Sequence, residues 1–325
     1  MDVVGDLAQL LRSMGLPERD LYDLPDSTKR FPDGAQCRIE IPSTEGPECL
    51  DVVLSEAAQL DVPVHRVSQG SGVLLTTDRE LDQMARRSAD AGVEVSLFAR
   101  PNAAWDSSTM TLTEAGRVMS PAARGQDQLR DCLADARRAA DHGFRSVLIA
   151  DIGVLSVFGQ MRRQGLLPPD MQAKVSVMLP AANPATARVL ADLGANTLNL
   201  PTDLDLQHIA AIRAAVDLPL DVYVEAPGNL GGRIMLSRIP ELVRVAAPVY
   251  LKFGLRNGPD VYPAGRHLQG QILQMSRERV RRARLALEIL ERSGTNATMS
   301  KVGTSDLAIA VPGRRPTAPE PDRPA

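Results

Sequence analysis

Apolar residues along the chain alternate with polar ones in short runs, and longer segments of helical period separate those runs. The alternating runs predict strands at 37–43 (CRIEIPS), 62–68 (VPVHRVS), 93–100 (VEVSLFAR), 145–153 (RSVLIADIG), 173–179 (AKVSVML), 196–201 (NTLNLP), 220–225 (LDVYVE) and 249–253 (VYLKF). The helical pattern predicts helices at 47–60, 77–91, 126–142, 154–164, 184–193, 205–216 and 237–246, and a long closing helix at about 265–293. Gly92 and Gly194 stand where a helix ends and a strand begins. Eight strand–helix units imply right-handed crossovers and a parallel sheet, and their total size is that of a (β/α)8 TIM-type barrel. An open doubly wound sheet is the alternative, but no G-x-G-x-x-G follows the first strand. Residues 1–15 form a short amphipathic helix with Leu7, Leu10, Leu11 and Met14 on one face, and 16–36 a Pro- and Asp-rich covering arm. The expected organisation is thus an extension at 1–36, a barrel at 37–293 and a C-terminal segment at 294–325. That segment is Pro-rich, and disorder is expected from about 312.

Composition narrows the class. With 325 residues, 44% hydrophobic and 24% charged, the chain reads as an ordinary globular protein. A formal net charge of −3 and a pI near 5.9 argue against general nucleic-acid binding. No apolar run reaches the ~18–20 residues that cross a bilayer, and MDVVGDLAQLLRSMG does not read as a secretory signal. The expectation is a cytoplasmic protein without membrane contact. Cys37, Cys49 and Cys132 are too scattered for a disulfide scaffold, a zinc ribbon or a cysteine-held iron–sulfur cluster, so none is expected. Only four of the 37 basic residues are lysines, so a lysine inside an apolar strand stands out.

In such barrels the chemistry sits at the C-terminal strand ends. Polar candidates there are Glu40, Ser43, His65, Ser68, Arg100, Asn102, Asp151, Asn199, Glu225, Lys252 and Arg256. Alternation places Asp221, Tyr223 and Glu225 on one face of the seventh strand, and Tyr250 and Lys252 on one face of the eighth. Arg38 and Glu40 share a face of the first strand. The polar set points inward where apolar residues pack outward under helices. The expectation is a charged cluster of Glu40, Glu225 and Lys252, with a barrel-plugging ion pair as its structural alternative. His65 is an acid/base or ligand candidate, or else a structural histidine; His142 and His208 read as structural, and His267, near the start of the last helix, is a minor candidate for the site. Asp151 either takes part in the chemistry or caps the following helix. Trp105 is a lid or a loop anchor. GNLGGR (228–233) offers backbone N–H groups and Arg233 to a phosphate or carboxylate, and GLRNGPD (254–260) repeats the theme.

The stretch from Val147 to Ser237 carries an ordered series of blocks: VLIADIGVLS (147–156), Val175–Leu179, NPATARVLADLG (183–194), Leu206–Ile212 and Gly231–Ser237. This series resembles the collagenase-like peptidase family, whose signature ends S-G-R-C-x-L-S. Gly232, Arg233, Leu236 and Ser237 match that ending, and Ile234 stands where the family has its cysteine. The resemblance implies the barrel, a site-forming loop after the seventh strand with Gly231, Gly232 and Arg233, and a divergent member lacking the signature cysteines. It does not carry over iron–sulfur chemistry. The chain holds no G-x-S-x-G, no H-E-x-x-H and no cysteine paired with a near histidine, so peptidase activity transfers poorly.

The functional expectation is a barrel enzyme, a hydrolase or a lyase or epimerase, acting on a small anionic substrate. Catalytic candidates are Glu40, Glu225, Lys252 and His65; substrate-binding candidates are Arg100, Asn199, Gly231, Gly232, Arg233 and Arg256. A divalent metal on Glu40, His65, Asp151 and Glu225 is a second reading. The third is a non-catalytic barrel derived from the family that works as a homo-oligomer or as a paired subunit.

Overall fold

A computed structural model describes residues 3–99, 113 and 122–313. Within them the chain runs α1 (Val3–Ser13), β1 (Cys37–Pro42), α2 (Pro47–Gln59), β2 (Val64–Ser68), α3 (Asp78–Ala91), β3 (Glu94–Phe98), α4 (Gly125–Asp141), β4 (Ser146–Ile149) and α5 (Ile152–Arg163). It continues through β5 (Gln172–Val175), α6 (Pro184–Asp192), β6 (Thr197–Asn199), α7 (Leu206–Ala215), β7 (Leu220–Glu225), α8 (Ile239–Ala246), β8 (Val249–Phe253) and α9 (Gln269–Arg292). The strands close in sequence order, β1 to β8 and back to β1, with every pairing parallel. This is the expected (β/α)8 barrel. The expected disordered tail falls largely on 314–325, outside the described residues.

Local chemistry sets the ends of the elements. Thr77 opens α3 with a reciprocal capping box to Glu80, and Gly92 closes it at φ 67°. The expected fourth and fifth strands are longer than those observed. Asp151 caps α5, accepting from Val154 N–H at 2.9 Å and stopping β4 at Ile149. The chain after Val175 turns at once, Leu179 N–H donating to the carbonyl of Ser176. No helix among the described residues is long and apolar enough to cross a membrane.

The pairing register states which residues face inward. Glu40 pairs with Lys252 and Arg66, Arg66 with Glu94, Leu148 with Lys174, Lys174 with Thr197, Asn199 with Asp221, and Tyr223 with Lys252. The opposite face is apolar. Ile39, Ile41, Val95, Leu97, Val147, Ile149, Val175, Leu198, Leu251 and Phe253 are at most 1% exposed and pack under the helices. Each such side chain contributes roughly 1.5–3 kcal/mol. Parallel barrels usually fill their interior with branched apolar residues; this one holds arginines, lysines and carboxylates instead.

The N-terminal end of the barrel is closed from both termini. Phe31 stacks edge-on against Tyr250 at 5.3 Å, with the Arg38 guanidinium 3.9 Å above the Phe31 ring. Arg38 donates to Ser300 Oγ (2.8 Å) and to Asp306 Oδ1 (2.7 Å). Residues 298–311 run beneath the strands, with Ser300 N–H bonded to the carbonyl of Cys37 and Val311 N–H to that of Gly143. Gly143 sits at φ 93°, and a Cβ there would lie 2.4 Å from the Val311 carbonyl oxygen. This floor had no counterpart in the sequence pattern, because 294–311 carries neither period.

Candidate functional site

The barrel interior is organised around Glu40, which has no solvent exposure. Its Oε2 accepts from Arg66 Nε at 2.7 Å and from Lys174 Nζ; its Oε1 accepts from Ser68 Oγ at 2.7 Å and faces Lys252 Nζ at 3.3 Å. A second carboxylate, Asp221, takes Arg66 at 2.5 Å and Lys174 at 2.9 Å, with Thr197 Oγ1 at 3.3 Å. Arg66 also lies 3.6 Å over the Tyr250 ring, and Lys252 Nζ 4.3 Å over that of Tyr223. Glu94 stands 3.8 Å from Arg66 on the far side and accepts from Ala308 N–H.

The cluster thus sets three cations, Arg66, Lys174 and Lys252, against three carboxylates, Glu40, Asp221 and the more distant Glu94. Burial raises the Glu40 carboxyl, but Arg66, Lys174 and Lys252 together outweigh it and hold the carboxyl well below the usual range. Lys174 moves the other way. Burial, then repulsion from Arg66, pushes its ammonium down to about 8 despite two carboxylate partners.

Above this layer the interior divides. Phe98, Leu148, Ala150 and Met178 form an apolar side from β3 to the loop after β5. Asn199, Tyr223 and Lys252 form a polar side from β6 to β8. Asn199 is 1% exposed, and no described residue donates to its Oδ1; Ser96 Oγ and Ser146 Oγ are likewise buried without a partner among the described residues.

Of the residues expected at the site, Glu40, Lys252 and Asn199 share the interior. Glu225 does not join them. A register shift between Tyr223 and Glu225 makes Glu225 pair with Phe253, whose side chain faces outward. Its carboxylate meets Arg256 N–H at 3.0 Å and Arg282 Nε at 3.3 Å, outside the wall, so the expected Glu225–Lys252 pair is not made. His65 is the extra residue of a second irregularity, between the pairs Ile39–Val64 and Glu40–Arg66. Its Nδ1 accepts from Ile39 N–H at 3.0 Å, and its Nε2 bonds to the Ser300 carbonyl at 2.8 Å, near the floor and away from the mouth. Burial pushes its pKa down to about 4, so the ring is neutral and structural. Asp151 spends both oxygens on backbone, Val154 and Ala123 N–H. Glu40, His65, Asp151 and Glu225 therefore do not converge, and no group of three His, Cys, Asp or Glu suited to a metal occurs among the described residues.

The loop after β7 is folded on itself rather than open to an anion. Leu230, Gly231 and Gly232 N–H groups bond to Pro227 and Gly228 carbonyls. Gly232 sits at φ 63° under Arg256, whose Cγ would be 2.9 Å from an added Cβ. Arg233 is tied to the Leu204 carbonyl (2.9 Å) and to Asp205 at the start of α7. The Arg233 contact holds the Asp205 carboxyl below its usual value. His142 pairs with Asp82 at 2.7 Å, and His208 Nδ1 accepts from Asp205 N–H at 3.1 Å, both structural as expected. Arg100, Asn102 and Trp105 lie outside the described residues. The cysteines are free and buried, and burial pushes the Cys37 and Cys132 thiols up to about 12.

Sequence reasoning missed Arg66, Lys174 and Asp221 as members of the cluster. Lys174 carried the same signal as Lys252: a scarce lysine between apolar neighbours in a strand.

Residues 118–239 match the family model described as Peptidase family U32. No curated protein matches the chain. Among solved structures, the U32 peptidase Mk0906 is similar at 17% identity, covering 76% of this chain and 88% of that one, with a TM-score of 0.40. The putative copper homeostasis protein CutC from Streptococcus agalactiae is 11% identical over 66% of this chain and 98% of its own, TM-score 0.43. The YdjI aldolase from Escherichia coli K12 is 15% identical over 79% and 90%, TM-score 0.41. The stretch from 118 to 239, which runs through β4 to the loop after β7, thus carries the sequence pattern of peptidase family U32 within a closed parallel eight-stranded barrel.

Proposed function

We propose that this chain is a barrel enzyme that holds a small anionic substrate at the C-terminal mouth through Lys252, with Asn199 as a second polar contact. The observation that carries the reading is that Lys252 is the least paired of the three buried cations. Lys252 has one carboxylate contact, at 3.3 Å, while Arg66 has three and Lys174 two. A substrate carboxylate or phosphate beside Lys252 would give it a second anionic partner, and no described residue donates to the Asn199 carboxamide oxygen.

The chemistry that fits is proton transfer beside a carbonyl, as in a lyase or an epimerase. Lys252 would polarise the carbonyl oxygen. Lys174, held near pKa 8, can exchange a proton close to neutral pH. Glu40 is too strongly ionised for a general base and serves to position the two lysines. Hydrolysis by a nucleophilic side chain fits less well, because the three cysteines are buried and their thiols are raised.

The test compares thermal stabilisation by inorganic phosphate, pyruvate and oxalate in the wild type and in Lys252→Met. At least one anion is expected to raise the wild-type Tm and to leave the variant unmoved. Equal response of the two proteins, or no response from either, would return the cluster to a purely structural role.

A further inference from the structure

The loop after β8 and the first half of α9 line an open pocket of about 350 Å³ outside the barrel wall, bordered by Glu225, Leu255, Pro259, Met275, Glu278 and Arg282 among others. It is separate from the interior cluster, because the shift at the end of β7 turns Glu225 away from Lys252. Glu225 is 3% exposed. Its Oε1 is satisfied by Arg256 N–H, but Oε2 accepts no hydrogen bond from any described residue. Arg282 Nε stands 3.3 Å from that oxygen without hydrogen-bond geometry. A buried carboxylate with an unused lone pair is costly unless a donor reaches it.

The charge around the pocket selects the donor. Two carboxylates, Glu225 and Glu278, face one guanidinium, Arg282, which Glu278 already holds at 3.0 Å. An anion entering here would meet both carboxylates. Leu255, Pro259 and Met275 supply an apolar wall beside the charged group. We infer that this pocket is a binding site for a primary alkylammonium group, its nitrogen on Glu225 Oε2 and its alkyl chain against Leu255 and Met275. An ammonium is compact and brings three donors, so it can serve Oε2 without displacing Arg256 N–H from Oε1. The site goes beyond the barrel-mouth reading and does not depend on it.

The test titrates full-length protein with butylammonium chloride, with 1-butanol and tetramethylammonium chloride as controls, and follows binding by calorimetry and Tm. Butylammonium is expected to bind saturably and the two controls not to. Glu225→Gln is expected to weaken butylammonium by at least about tenfold. Arg282→Gln, which removes the competing cation, is expected to tighten it and to give a larger Tm rise than the wild type. Should Glu225→Gln fail to fold, the Arg282→Gln comparison decides. Equal binding of butylammonium and butanol, an unchanged affinity in Glu225→Gln, or weaker binding in Arg282→Gln would overturn the assignment.

Discussion

Replacing Lys174 by Met tests the cost of burying its ammonium directly. The ammonium ionises at about 8 in the folded chain against 10.5 as the ordinary value. The unfolded chain therefore holds a proton over this interval that the folded chain gives up, so this group's contribution to stability rises with pH between those values. Below pH 8 the charged lysine costs the fold about 3 kcal/mol, from about 2.5 pK units at ~1.4 kcal/mol each. About 1 kcal/mol of that is recovered between about pH 7.5 and pH 9. Other groups oppose it. Cys37 and Cys132 are raised to about 12 from 9.0, so the unfolded chain loses those protons first and stability falls as pH rises through 9. The measurement is therefore a difference: urea midpoints of wild type and Lys174→Met, at about pH 7.5 and pH 9, at unchanged m. Met keeps the volume and removes the charge, and the thiol contributions cancel. The wild type is expected to gain about 1 kcal/mol on the variant between the two pH values. Parallel pH profiles would show that Lys174 does not titrate near 8 and would remove the argument that it exchanges a proton close to neutral pH.

Glu40→Gln leaves three buried cations around one fewer carboxylate and is expected to cost roughly 3–5 kcal/mol in denaturant melts; a loss under about 1 kcal/mol would mean the network is redundant. His65, neutral in the fold with a pKa near 4 against 6.5, favours the folded state above pH 6.5 and loses that contribution as pH falls toward 4. Proton NMR should find the His65 ring titrating near 4. Gly143→Ala is expected to push 298–311 off the barrel floor and to raise amide exchange at Ser300 and Val311, which the wild type protects through Cys37 and Gly143 carbonyls. Asp151→Ala removes the α5 cap and the tie to Ala123, an expected loss of about 1–2 kcal/mol by thermal melt.

The architecture was legible because period-2 and period-3.6 patterns are local properties of the chain. Eight strand–helix units with apolar faces permit few closed solutions, and β7 and β8 run over the residues the pattern predicts. Parity likewise placed Glu40 and Lys252 inward, and their 3.3 Å contact follows from strands one and eight being neighbours. The signature blocks between Val147 and Ser237 fall within the family match. Parity failed where the ladder slips. One register shift before Glu225 and another at His65 reverse the face of the residue that follows or expose an extra one, and no composition signal marks either. Arg233 reads in the sequence as a free anion-binding group, and Asp151 stays open between chemistry and the helix cap it makes, because a sequence does not show which backbone N–H or carbonyl a side chain will meet. The floor formed by 298–311 and the meeting of Lys174 with Glu40, 134 positions apart, were likewise decided only by tertiary structure. The sequence alone determines which residues an unbroken strand presents to each side; closure of the barrel decides where the ladder slips and which charges share an interior too small to hydrate them, and so which of them shift.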